Sequence, residues 1–365
     1  MPDTRSPIPY SDAVEEIRAD EPETFGKIAE AMKGETETTE KTYHHAIRSS
    51  HAKSTGLLKG SLEILPDLPP PLAQGLFARA ATYPALVRLA QGPGEILSDK
   101  VSTHRGMAIK VLGVPGEKLA GHGADTQDFV LATGKSFPQS SAETFLQAIR
   151  GLAASAAMPE GVKGAVSTMS RGLNAAYRSV AGEDSATLGF FGHTPRHPLA
   201  DPYFSQAALR HGDYVAKLGA FPASPEVLAL GTDPLDIGDD EDGFRTAVVS
   251  FFRRSGAVFE IRVQLNTGLD AMPVEDANAE WPEEEAPYVT VARLVLPRQE
   301  AYSPARARYF TDVLAFRPAH SLAAHRPLGS VMRARLQVYE TLQTFRGQRN
   351  GVAQQEPKDV SEVPD

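Results

Sequence analysis

Arg335-Leu336-Gln337-Val338-Tyr339-Glu340-Thr341-Leu342-Gln343-Thr344-Phe345-Arg346 sets Arg335, Tyr339 and Gln343 at successive four-residue steps. The spacing predicts a helix with all three on one face and Arg346 three residues beyond Gln343. A guanidinium one turn before a phenol favours the phenolate, drawing its pKa down from about 10, and a phenolate is a good ligand for ferric iron. The same spacing also arises on amphipathic helices as a stacked surface pair. Other segments have to separate these two readings.

The chain has 365 residues, enough to bury a sizeable core as one large or two ordinary domains. It contains no cysteine, which excludes disulfides, zinc–thiolate sites, iron–sulfur clusters and a cysteine nucleophile. A formal net charge of −9 argues against a nucleic-acid partner held mainly by phosphate neutralisation. No apolar run reaches membrane-spanning length. Met1-Pro2-Asp3-Thr4-Arg5 has no charged segment leading into an apolar one, so no signal peptide is read there and a soluble, cytoplasmic protein is the default expectation.

Ser11 to Met32 carries Val14, Ile17, Phe25, Ile28 and Met32 at helical spacing, and residues 34–42 read as a solvated connector. Residues 1–42 are therefore expected to form an N-terminal helical arm. Leu57 to Leu65 alternates like a strand, and residues 72–90 look like an apolar helix interrupted near Pro84. From Ser140 to about Val180, Phe145, Ile149, Leu152, Val162, Val166, Met169, Leu173 and Tyr177 follow a rough helical period, a stripe that suits a core.

Asp233 to Asp242 is acidic, but Gly238 and Val249 fall on the first and last ligand positions of a calcium loop, so a solvated hairpin is expected. Arg245 to Phe252, Ala257 to Leu265 and Tyr288 to Leu296 read as antiparallel strands. Ser303 to Leu314 reads as a helix. Trp281 reads as packing, and residues 351–365 read as a disordered tail because they lack apolar spacing.

Tyr43-His44-His45-Ala46-Ile47-Arg48-Ser49-Ser50-His51-Ala52-Lys53 crowds three histidines ahead of the first strand. Adjacent His44 and His45 point apart in any regular structure, and no acid or His stands at the spacing of a zinc motif. His193 and His197 are separated by Pro195 and cannot form a helical metal pair. Arg48-x-x-His51-Ala52-Lys53 instead resembles the distal-histidine segment of haem catalases, and Arg335 to Arg346 resembles their proximal segment. Val87-Arg88-Leu89-Ala90 followed by Arg105-Gly106-Met107-Ala108-Ile109-Lys110 is similar to the family's Val-Arg-Phe-Ser and Arg-Gly-Phe-Ala-Val-Lys segments. Asp125, Thr126, Phe129, Val130 and Phe137-Pro138 resemble its Asn-Thr-Pro, Phe-Phe and Phe-Pro run. The four segments keep the family's order.

The resemblance is to the short, catalase-related peroxidase branch of the haem catalase superfamily. It implies an α+β, catalase-like fold, an antiparallel eight-stranded β-barrel surrounded by helices, with residues 43–350 as the haem-binding domain. Haem b would have its iron ligated by Tyr339, with His51 as general acid–base above it. Arg48, Arg88 and Arg346 would pair with the propionates, Phe137 would stack beside the porphyrin, and Arg335 and Gln343 would complete the cofactor-binding set. Asp125 takes the place of the family's catalytic asparagine, Ala90 that of a serine bonded to the distal histidine, and Thr103 that of a channel aspartate.

With those departures the expected activity is reduction of hydrogen peroxide or organic hydroperoxides with an organic electron donor and weakened dismutation. Rearrangement of fatty-acid hydroperoxides, as in the allene-oxide-synthase branch, is an alternative compatible with an altered distal asparagine. A non-catalytic haem-binding protein is a third reading, opposed by retention of His51 and of the Arg335 and Tyr339 pair. The resemblance leaves room for a homo-oligomer.

Overall fold

Nine antiparallel strands form the centre of the molecule: β1 Ser54–Ile64, β2 Thr82–Gln91, β3 Arg105–Leu112, β4 Thr126–Ala132, β5 Tyr203–Phe204, β6 Leu209–His211, β7 Tyr214–Pro222, β8 Ala257–Leu265 and β9 Val289–Leu296. Hydrogen bonds connect them in the order β5-β4-β3-β2-β1-β9-β8-β7, and β5 also pairs with β7, so eight strands close into a barrel. The short β6 folds back on β7. These features come from a computed structural model describing residues 6–155, 169–170 and 192–365.

Two-residue alternation decides what fills the barrel and what faces the helices. Val87 and Leu89 of β2, Met107, Ile109 and Val111 of β3, and Phe129 and Leu131 of β4 enter the main core. Their neighbours Arg88, Ala90, Gly106, Ala108, Lys110 and Val130 point the other way and are still largely covered. That outer face of β2 to β4 becomes one wall of the site.

The helices are α1 Glu21–Tyr43, α2 Ala142–Ser155, α3 Pro225–Leu228, α4 Gly243–Phe252, α5 Pro304–Arg308, continued by a wider turn over Tyr309–Val313, and α6 Ser330–Asn350. Phe25, Ile28 and Ala29 of α1, Ala142, Leu146 and Ile149 of α2, and Ala334 and Val338 of α6 share one apolar cluster. Fully burying a Phe or Ile side chain contributes about 1.5–3 kcal/mol, so this cluster braces α6. The expected N-terminal arm is thus a packed helix, and it runs through residues 34–42 instead of breaking into a connector there.

Three other expectations are corrected. Residues 72–90 hold a short turn at Gly75–Phe77 and then β2; the run looked helical because a strand covered on both faces does not alternate. Pro84 lies exposed near the start of β2, where a missing N–H is tolerated. Residues 245–252 are helical within α4, with Phe244, Val248, Phe251 and Phe252 buried. Residues 351–365 are not disordered: Val363 is buried in a cluster with Leu57, Leu86, Phe310 and Leu314, and Asp365 pairs with Lys59 at 2.7 Å. Trp281 packs with Met272, Val274 and Leu328 as expected. The predicted helix over Val162, Val166, Leu173 and Tyr177 lies outside the described residues. No helix among the described residues is long and apolar enough to cross a membrane.

Candidate functional site

Two adjoining hollows lie between the outer face of β2 to β4 and helix α6, sharing His51, Val130, Leu131 and Tyr339 as walls. Arg48, Arg88, Gln343 and Arg346 line the first, and Phe137 and Arg335 line the second. Of the residues singled out from sequence, all but Asp125 and Thr103 line these hollows.

Asp125 immediately precedes β4, its side chain is 80% exposed, and it pairs only loosely with Lys118 at 3.4 Å. In the β3–β4 ladder Thr126 lies opposite Leu112 and Ala132 opposite Gly106. The imidazole of His51 lies against Gly106, so Asp125 stands a whole strand away, roughly 20 Å at about 3.3 Å per residue. A proton shared between Asp125 and His51 is ruled out. At the His51 end the strand leads through Ala132 into Thr133, whose Oγ1 accepts from the Arg105 backbone N–H at 3.0 Å. The motif spacing had placed the acid without knowledge of strand register.

His51 lies in the loop between α1 and β1 with φ of 52°, a left-handed conformation that costs on the order of 1 kcal/mol outside glycine. Its backbone N–H donates to Gly92 O at 2.7 Å. Arg88 Nη2 donates to the carbonyls of His51 at 2.6 Å and Ala52 at 3.1 Å. A Cβ on Gly106 would fall 2.7 Å from His51 Nδ1, so only glycine lets the ring lie on β3. His104 meets that ring edge-on at 5.3 Å. Burial first, and then the charges of His104, Arg88 and Arg335, hold the imidazole well below its usual pKa. It is therefore neutral near pH 7, with Nδ1 buried and without a hydrogen-bond partner.

Three guanidiniums crowd the first hollow. Arg48 Nη2 donates to Phe310 O at 2.6 Å, Arg88 Nε to Ser54 Oγ at 3.0 Å, and Arg346 Nη1 to Thr311 O at 3.4 Å. None forms a salt bridge with a described carboxylate. Burial pushes Arg48 down to about 10 and Arg346 to about 9, and Arg88 falls well below its ordinary value. The charges of Arg48 and Arg346 add to the fall at Arg88, and Arg48 adds to that at Arg346. Asp312 attracts Arg48 and Arg346, but its Oδ1 is taken by His45 at 2.7 Å. Three cations that repel one another, Arg88 and Arg346 buried and Arg48 half-buried, suit a partner with more than one negative charge.

On α6 the expected one-face arrangement is present, with a different partner for its cation. The Arg335 guanidinium lies over the Phe137 ring at 5.1 Å, and its Nη1 is 3.5 Å from Met332 Sδ. Phe137 in turn meets Phe145 edge-on at 5.4 Å. The second hollow also draws in His104, Thr133, His193, Arg196 and Asp201. The sequence excluded His193 only from a helical metal pair with His197, and the others carry no local signal because separate segments bring them together.

No family model matches this sequence, and no curated protein matches it. Solved structures of similar fold include catalase A from Saccharomyces cerevisiae, with a TM-score of 0.60, 15% identity, and coverage of 85% of this chain and 63% of that one. A fungal catalase gives 0.59 and 18%, covering 89% and 68%, and a bacterial catalase gives 0.57 and 16%, covering 85% and 60%. The chain has the catalase fold, a closed antiparallel eight-stranded barrel with surrounding helices. It spans less than two thirds of the yeast and bacterial chains.

Proposed function

We propose that the protein is a haem-dependent, peroxide-metabolising oxidoreductase of the catalase-related peroxidase kind. The observation that carries this reading is the trio of a half-buried Arg48 and buried Arg88 and Arg346, mutually repelling beside walls that bear His51 and Tyr339. Haem b suits this set of groups. Its two propionates would supply the carboxylates that the arginines lack, Phe137 would lie beside the porphyrin, and the Tyr339 oxygen would ligate the iron, as tyrosine does in catalases. When bound, the haem iron supplies the redox chemistry that cleaves a peroxide O–O bond.

The protein's own contribution is positioning and proton transfer. His51, held neutral by burial, takes the proton from the peroxide and returns it to the leaving oxygen, which departs as water or an alcohol. Arg88 links the two tasks, because the side chain that faces the cofactor's carboxylates also grips the carbonyls of His51 and Ala52. The left-handed backbone at His51 favours a working site over a passive haem carrier, since such strain persists where a side chain must be aimed.

Weakened dismutation follows from the wall beside His51. Ala90 offers no hydroxyl to that imidazole, whose Nδ1 has no hydrogen-bond partner, so orientation of a second peroxide rests on fewer groups. An organic donor is the reductant this arrangement suits. The test is the absorption spectrum of the haem-loaded protein and of Tyr339→Phe, with oxygen evolution and donor oxidation measured side by side. We expect a high-spin ferric tyrosinate spectrum, changed in the variant, and donor oxidation outpacing oxygen release. An unchanged spectrum in Tyr339→Phe would overturn the ligand assignment.

A further inference from the structure

Reduction of a peroxide, ROOH to ROH and water, takes up two electrons and two protons. His51 supplies neither proton, because it moves the peroxide's own proton from one oxygen to the other. The protons that are consumed come with the oxidised donor or from solvent, and they have to reach a pocket where His51 Nδ1 is buried without a hydrogen-bond partner. A second imidazole stands beside His51.

His104 is half-buried just ahead of β3, and its ring meets that of His51 edge-on at 5.3 Å, within reach of one bridging water. Both rings line the second hollow. Glycines admit the pair: a Cβ on Gly106 would fall 2.7 Å from His51 Nδ1, and one on Gly92 would fall on the His104 ring. Gly92 also joins the two segments, accepting from the His51 N–H at 2.7 Å and donating to His104 O at 2.8 Å. The charge of a protonated His104 opposes protonation of His51, so the pair favours one proton over two. Arg88 and Arg335 are the other charges that act on His51. The hollow's wall also holds Thr133, Ser136 and Lys135, the last with a side chain 38% exposed and paired with Glu283 at 3.0 Å, so the hollow connects the imidazoles with the surface. Its remaining titratable groups are Asp201, held by Arg105 at 2.7 Å and His193 at 3.0 Å with Oδ1 unpartnered, together with Arg196, Glu280, Arg335 and the Tyr339 phenol.

We propose that His104 is a proton-relay residue, passing protons from the second hollow to His51 while the donor supplies electrons. This role rests on the haem reading above. His104 acts through His51, and cleavage of the peroxide does not call on it, since there the substrate brings the proton that moves. An organic donor that loses two hydrogen atoms releases the two electrons and two protons that the reduction consumes, so the balance closes.

The experiment follows the haem-loaded wild type, His104→Gln and His104→Phe by stopped-flow absorbance, first with one equivalent of hydrogen peroxide and no donor, then with guaiacol added. The peroxide phase should agree within about threefold among the three proteins, and guaiacol oxidation should slow about a hundredfold in both variants, the low end of what a positioned acid–base group contributes. Phenylalanine keeps the ring that packs on His51 and removes its proton, so full activity in His104→Phe would show a packing role and overturn the relay. Equal slowing of both phases overturns it too, as does guaiacol oxidation unchanged in His104→Gln. Nitrogen NMR of the haem-free protein at pH 5 gives a readout apart from turnover: the His51 imidazole should be more protonated in His104→Gln than in the wild type, and equal protonation counts against the coupling on which the relay depends. A wild type that does not react with peroxide overturns the haem reading and the relay with it, whereas a reactive wild type with indifferent variants overturns the relay alone.

Discussion

Arg346→Met should have opposite effects on the two forms of the protein, stabilising the haem-free chain while weakening its hold on haem. Arg346 is 8% exposed and is pushed from its ordinary value down to about 9, first by burial and then by Arg48. At about 1.4 kcal/mol for each factor of ten, that drop bounds the cost of keeping the charge in the folded chain at roughly 5 kcal/mol. Relaxation lowers the real figure, and replacing buried charges by apolar side chains of similar volume typically recovers about 1–4 kcal/mol. Methionine keeps the length of the stem, and the bond given up, to Thr311 O at 3.4 Å, is a weak one.

We therefore expect the haem-free variant to gain about 1–3 kcal/mol in urea unfolding at pH 7. Haem affinity should fall about tenfold to a hundredfold from loss of one charge-assisted contact. The sign of the pH effect follows from linkage. The folded chain holds this proton less tightly than the unfolded chain does, so the penalty is complete below about pH 9 and fades as pH rises above it. The difference between wild type and variant should shrink accordingly in alkali. A haem-free variant less stable than the wild type, together with unchanged haem affinity, would refute the idea that these arginines are assembled for an anionic cofactor.

Three further outcomes concern the barrel wall. Lys110, fully buried, holds Asp128 at 2.7 Å and Glu356 of the C-terminal segment at 2.6 Å. Lys110→Met should cost up to about 3–5 kcal/mol in denaturant because the buried Asp128 loses its ammonium partner and keeps only the Arg317 backbone N–H at 2.8 Å and His320 at 3.4 Å, and Lys110→Met with Asp128→Leu should recover most of it. Glu356 is held down to about 2 by His320 and Lys110 against a burial that would raise it. Its anchorage is thus complete above its ordinary 4.5 and is lost as pH falls from there toward 2, so hydrogen exchange over residues 352–365 should quicken in that window ahead of the barrel strands. Asp125→Asn should leave haem binding and donor oxidation unchanged, because that side chain is exposed at the far end of β4; a tenfold loss of turnover would show the β3–β4 register to be wrong.

Residues separated by one or two helical turns were legible because their geometry is a property of the chain itself. Arg335, Tyr339 and Gln343 fall together on α6 whatever surrounds it. The short segments holding Arg48 with His51, and Arg88 ahead of Gly106, were likewise readable, since each is a local string leading into or along a strand. Asp125 failed for a physical reason: which end of β4 meets His51 depends on its pairing with β3, and neighbouring residues along β4 do not encode that pairing. The same limit hid Thr133, Asp201 and Arg196, which share a chamber only after the barrel closes.

By itself the amino-acid sequence determined the helical face of α6, which rests on spacing along the chain, while the resemblance carried by its ordered segments implied the catalase fold and the grouping of Arg48, Arg88 and Arg346. Only the tertiary structure decided that α1 braces α6, that Arg335 rests on Phe137, that the last fifteen residues are anchored through Glu356, Val363 and Asp365, and that Ala90 and Thr133, rather than Asp125, lie at the His51 end of the strands. Those outcomes depend on contacts between residues far apart in the chain, and their partners are chosen by register and packing.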